Sequence, residues 1–344
     1  MRLTLPLLTL AGLALAQPAP PPQPPLLACG IHGDHEVLCG TRSPEDLEVA
    51  PDGKHLIVSE FVRPRGAFSL FDPATKTFSK IAITAEPLKD WGDAACPGPP
   101  GDVLTPHGIS LSKRAGGKMQ QLYVVNHAGR ESIEMYEVKQ THQMLSLVWH
   151  GCVVSKTDFN DVAALANGGF FATHPTALRT QGMDLFSGQP SGYVASWMPG
   201  KGEIELPDTR RGYPNGVIAS LDGRTLYFNA WTAKEVHKYD VQAGKETGMV
   251  KLDFMPDNLT WTKKGHMLAA GVKGARGDCP AGSGTPCIQA FGVAEIDPAT
   301  MKATTVFNSQ GKGALIGGVS VALEMGDSIY IGAFQGDRLL KIHK

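Results

Sequence analysis

This chain lacks an excess of charge of either sign. Lys and Arg total 32 against 33 Asp and Glu, a formal net charge of −1. A surface for nucleic acid would need a basic excess, so no nucleic-acid partner is predicted. No Cys-x-x-Cys pair occurs, which argues against a zinc site. There is no Gly-x-Ser-x-Gly elbow, no phosphate loop and no dinucleotide fingerprint. Serine-hydrolase and nucleotide chemistries therefore lose their usual signatures. One Ser-x-x-Lys match, Ser110-Leu111-Ser112-Lys113, falls well down a predicted strand, away from the polar cluster described below. Beyond the first residues, no apolar run is long enough to cross a bilayer.

What is abundant is turn chemistry. The 344 residues include 40 Gly and 25 Pro, which disfavours a helical bundle and favours short strands joined by turns. At the start, Arg2 is followed by the apolar run Leu3 to Ala16, ending Ala14-Leu15-Ala16. A short run closed by small-x-small residues predicts a signal peptide over 1–16 and a secreted or periplasmic protein. Residues 17–28 read as an extended Pro-rich linker, with six prolines between Gln17 and Pro25. Six cysteines in an exported chain suggest disulfides. Proximity favours Cys29 with Cys39 and Cys279 with Cys287, leaving Cys96 and Cys152. Fifteen pairings are formally open.

From residue 29 to 344 the chain repeats. Six strand-like runs share one pattern: His55–Phe61, Leu122–His127, Gly169–His174, Thr225–Trp231, His266–Val272 and Ser328–Phe334. Most follow a Gly-containing turn, such as Asp52-Gly53 or Asp222-Gly223, and another strand precedes each turn. The spacing is about 55 residues per unit, which suits four-stranded blades with loop insertions. The predicted fold is all-β, a six-bladed β-propeller of four-stranded blades. The last blade is short, so a strand near Glu36-Val37 is expected to complete it and close the ring.

In a propeller the first strands line the central shaft and their starts converge at one end. Those starts read Glu45-Asp46, His107-Gly108, Asn160-Asp161, Asn215-Gly216, Asp257-Asn258 and Gly317-Gly318. Glu45, Asn160, Asn215, Asp257 and Asn258 would bring two carboxylates and three amides to one place. Converging carboxylates repel unless neutralised. An all-oxygen ligand set spread around a ring favours Ca²⁺. Asp46 and Asp161 lie one residue further on and turn away from that site, where a second cation, helped by the Ile109 carbonyl, or backbone donors would satisfy them. His107 starts the first strand of blade two and His127 ends the second. Two imidazoles would thus sit beside the metal, one able to take a proton from water. His174 is a weaker candidate for the same rim. Phe61, Tyr213, Trp231 and Phe334 are expected there too, as pocket walls or as packing.

At these residues the chain resembles the paraoxonase/arylesterase family of calcium-dependent lactonases. The segments that carry the resemblance are Pro44-Glu45-Asp46-Leu47-Glu48-Val49, Pro106-His107-Gly108-Ile109-Ser110, Val124-Val125-Asn126-His127, Phe159-Asn160-Asp161-Val162, Pro214-Asn215-Gly216-Val217 and Pro256-Asp257-Asn258-Leu259. The resemblance implies two Ca²⁺ ions. Glu45, Asn160, Asn215, Asp257 and Asn258 would hold a catalytic one, and Asp46, Asp161 and the Ile109 carbonyl a structural one. It implies His107 and His127 as the catalytic pair. The substrate would be a small lactone or ester, with arylesterase and phosphotriesterase side activities. The chain departs from the family in its cleavable N-terminus, and in having no cysteine after Cys287 to tie the chain ends together. Two alternatives are a gluconolactonase-like sugar-lactone hydrolase and a non-enzymatic binding module stabilised by calcium.

Overall fold

The computed structural model describes residues 25–141, 144–274, 288–312 and 314–344. The predicted signal peptide, most of the predicted linker, His142, Cys279 and Cys287 lie outside the described residues.

The described chain forms a six-bladed β-propeller. Its inner strands are Pro44–Val49, Pro106–Lys113, Val162–Ala164, Pro214–Ala219, Met255–Trp261 and Val319–Met325. Each pairs antiparallel with a second strand that coincides, within two residues at either end, with one of the six runs read from the sequence. The turns between them use glycine where the backbone is left-handed: Gly53 and Gly223 have φ of 69° and 67°. The ring closes as expected. Strand His35–Cys39 pairs with Arg338–His343, placing Val37 opposite Leu340 in blade six.

Two sheets carry a fifth strand that the four-stranded expectation did not include. Gly30–His32 extends blade six. Ala82–Ala85 leaves blade one and runs parallel to the outermost strand of blade two. Both cover an edge whose backbone groups would otherwise be unpaired.

The core lies between the blades. Six hydrophobic clusters occupy the six blade-to-blade interfaces. Blades three and four, for example, join through Phe171, Val194, Val217, Leu226 and Phe228. Burying each such side chain contributes about 1.5–3 kcal/mol, so the ring holds by interlocked pairs rather than by one centre. Among the described residues two disulfides add to this. Cys29–Cys39 links the N-terminal strands, and Cys96–Cys152 ties the loop ahead of blade two to that blade's outer strand.

The inner strands start irregularly. The pairing slips between Pro44 and Asp46, Pro106 and Ile109, Pro214 and Val217, and Pro256 and Leu259. Proline cannot donate to the ladder, and an extra residue there bends the strand and re-aims its side chains. Glu45, His107, Asn215, Asp257 and Asn258 all sit in these bulges. In blade three the ladder begins only at Val162, so Asn160 and Asp161 precede it.

Candidate active site

The bulges gather side chains from separate blades at one end of the shaft. Asn258 Nδ2 donates to Glu45 Oε1 at 2.9 Å. The Asn215 amide lies near the Asp257 carboxylate and acts to lower its pKa. Ser320 Oγ donates to the Glu45 carbonyl at 2.6 Å, joining blade six to blade one. Gly108 and Gly216 permit this closeness. A Cβ on Gly108 would overlap the Asp161 carboxylate, and one on Gly216 would strike the carbonyl of Asp257.

Several oxygens in this cluster have no partner. Glu45 Oε2, Asn160 Oδ1 and Asn215 Oδ1 are buried and accept no hydrogen bond. Each such atom costs about 1–3 kcal/mol. Negative charge is also uncompensated. Burial pushes the carboxyls of Asp46, Asp161 and Asp257 well above the usual carboxylate range, and repulsion from Glu45 adds to this. Burial likewise raises Glu48 to about 7, opposed by one N–H from Leu111. Orphaned oxygens and surplus carboxylates are what a hard divalent cation satisfies, so the residues fit calcium. Among the described residues no three His, Cys, Asp or Glu side chains converge as a metal cluster by themselves, and the amides of Asn160 and Asn215 are needed to complete this set. Asn258 turns its nitrogen, not its oxygen, toward Glu45.

Asp46 and Asp161 are arranged differently. Asp46 Oδ1 accepts from Leu47 N and Oδ2 from Ile109 N, both at 2.8 Å. Asp161 Oδ1 accepts from Val162 N and Oδ2 from Val217 N, both at 2.7 Å. It is thus the Ile109 amide that meets Asp46. Both acids stitch the inner strand of one blade to the next. Their hydrogen bonds are met while their charge is not, so the case for a second ion rests on charge.

The two histidines meet. His107 Nδ1 lies 2.8 Å from His127 Nε2, and His107 Nε2 lies 3.5 Å from Glu45 Oε1. Phe61 stacks on His107 with ring centroids 4.5 Å apart and meets His127 edge-on at 5.9 Å. Tyr213 and Trp231 pack 5.3 Å apart, and burial raises the Tyr213 hydroxyl to about 12, with Asp158 and Asp257 adding to the effect. Burial lowers the pKa of His127, against the pull of Glu131. That carboxylate bonds His127 Nδ1 at 2.8 Å and was not among the predicted residues.

A match to the arylesterase family model covers residues 94–340. The chain belongs to the arylesterase family. It is 25% identical over 228 residues to human serum paraoxonase/arylesterase 1 and 24% identical over 234 residues to the mouse protein. Each match covers 63% of this chain and 62% of the relative, so the chain spans just over three fifths of the length of the curated relatives it matches. A gluconolactonase from Xanthomonas campestris has a similar structure, with a TM-score of 0.53 and 16% identity over 90% of each chain. The luciferin-regenerating enzyme gives 0.52 and 13%, covering 89% of this chain and 93% of its own. These two likenesses are of fold.

Other features of this arylesterase-family chain are structural. His174 is fully buried, its Nδ1 bonded to Thr157 Oγ1 and the Asp158 carbonyl. Ser110 Oγ accepts from Ala164 N, so the Ser-x-x-Lys match is a blade-to-blade stitch. A cleft of about 1030 Å³ opens between blades one and two, beside Arg42, Glu60, Tyr136 and Trp149. None of the shaft residues or paired histidines lines it, so it does not hold this chemistry. Among the described residues no helix is long and apolar enough to cross a membrane.

Proposed function

We propose that this chain is a calcium-dependent hydrolase that opens lactones, with arylesterase and phosphotriesterase side activities. One observation supports the reading: Glu45, Asn160 and Asn215, at the inner-strand starts of blades one, three and four, each keep a buried, unpartnered oxygen, and Glu45 lies 3.5 Å from a hydrogen-bonded histidine pair. Glu45, Asn160, Asn215, Asp257 and Asn258 would hold the ion. A bound Ca²⁺ would supply Lewis-acid polarisation of the substrate carbonyl.

The protein's own residues would do the rest. His107 Nε2 takes a proton from water, and the water oxygen attacks the carbonyl carbon. The ring C–O bond breaks, the departing alkoxide takes the proton back, and a hydroxy acid leaves. His127 holds the His107 ring in line. Phe61 keeps one face of His107 dry, and Tyr213 and Trp231 supply apolar wall for the acyl portion. A second ion between Asp46 and Asp161 is proposed on their uncompensated charge. A secreted or periplasmic location is proposed on the N-terminal run and on the two disulfides.

A panel of aliphatic, aromatic and sugar lactones, assayed with calcium and with excess chelator, tests this. Turnover that needs calcium is expected. Undiminished turnover in chelator would defeat the metal role, and preference for sugar lactones would favour a gluconolactonase-like enzyme. Bound calcium without turnover on any lactone or ester would leave a binding module.

A further inference from the structure

A carboxylate in the turn after the second strand of blade two has no part in the mechanism above. Glu131 meets His127 Nδ1 with both oxygens, at 2.8 and 3.0 Å. His127 Nε2 lies 2.8 Å from His107 Nδ1, and His107 Nε2 faces Glu45 at 3.5 Å. Four side chains thus form one line from the surface to the shaft.

The turn is built to hold that line. Asn126 is fully buried at the end of the strand. Its Oδ1 accepts from Thr105 N and Ala128 N, and its Nδ2 donates to the Ala128 and Arg130 carbonyls. His127 N bonds the Thr105 carbonyl, and the Glu131 carbonyl accepts from Ser155 N. Arg130 is directed elsewhere, to Glu134 and the Gly98 carbonyl, so it does not neutralise Glu131. The His127 side chain is 5% exposed and that of Glu131 30%.

An ionised carboxylate only accepts hydrogen bonds. His127 Nδ1 must therefore carry hydrogen. A neutral imidazole then has a bare Nε2, which must accept. Its neighbour His107 Nδ1 must donate, which leaves His107 Nε2 bare on the shaft side. We infer that Glu131 is a positioning residue that fixes the tautomers of both histidines, so that His107 Nε2 is the base. What that base does rests on the proposed hydrolase reading, whereas the placement of protons does not.

Nitrogen-15 NMR of the histidine-labelled full chain, loaded with calcium, tests the proton placement directly. His127 and His107 should both show hydrogen on Nδ1. In Glu131→Ala the His127 tautomer should become mixed, and kcat on a lactone should fall about 10- to 100-fold with KM nearly unchanged. Glu131→Asp should restore part of both, and unchanged circular dichroism would show that the fold is intact. Hydrogen on His127 Nε2 in the native chain, or a Glu131→Ala variant with native tautomers and native kcat, would overturn the inference. Native tautomers as described, in a chain inactive on every lactone, would uphold the proton placement and overturn the hydrolase reading alone.

Discussion

Glu45 and Asn258 stand 213 positions apart in the chain and share a hydrogen bond of 2.9 Å across the shaft. The bond uses Glu45 Oε1 and leaves Oε2 buried without a partner. That remaining oxygen makes Glu45 the most exacting member of the set. Glu45→Gln removes one charge from the proposed ion site. Calcium affinity measured by titration calorimetry should fall at least about tenfold, because ligand charge sets affinity at such sites. Native affinity in this variant would exclude Glu45 as a ligand.

Calcium removal should also loosen the ring. A ligand bound only by the folded state adds about 2.7 kcal/mol at one hundred times its Kd. Thermal unfolding in chelator should therefore begin well below that in calcium, and added calcium should restore it. Identical melting curves would leave the orphaned oxygens of blades one, three and four unexplained.

His107→Gln roughly keeps the side-chain bulk and removes the base. Turnover should fall about 10²–10⁴-fold, with calcium affinity and circular dichroism unchanged. A variant that retains native turnover would place water activation elsewhere.

The pH response of His127 follows from its surroundings. Burial lowers its pKa first; His107 and Arg63 act in the same direction and Glu131 opposes them. An NMR titration should give a midpoint below about 6.5, the ordinary histidine value. Because the folded chain resists protonation here, this group's contribution to stability is present above that value and is lost as pH falls through the folded midpoint. Glu131→Gln removes the carboxylate charge that opposes the lowering, while its amide oxygen can still accept from Nδ1, so the midpoint should drop further. A rise would show that the sign is wrong.

Gly108 tests the closeness of blades two and three. Gly108→Ala places a methyl against the Asp161 carboxylate and the Asn160 carbonyl. Overpacking of this kind costs about 1–3 kcal/mol, and the denaturant midpoint should shift accordingly. An unshifted midpoint would mean that the inner strands can part without loss.

Part of this architecture was open to reading in one dimension. Runs such as Thr225–Trp231, preceded by Asp222-Gly223, announce a hairpin because a left-handed glycine turn ahead of strand-forming residues is a local demand. Their recurrence near every 55 residues implied blades. The polar starts of the inner strands were visible as anomalies, since a shaft residue is ordinarily small or apolar. The bulges were not visible, because a bulge is a mismatch with a partner strand. Nor was the fifth strand Ala82–Ala85, whose partner belongs to the next blade.

Residue order alone therefore determined the hairpins, the sixfold repetition and the identity of the oxygen-bearing side chains. Tertiary structure decided how each of them is used. Glu45 and Asn215 each keep a bare oxygen, whereas the oxygens of Asp46 and Asp161 go to backbone N–H groups, in part on neighbouring blades. Glu131 gains its part only because Asn126 folds the turn back onto His127. The physical reason is that a side chain's chemistry depends on which groups compete for its lone pairs, and those groups arrive from blades far away in the chain.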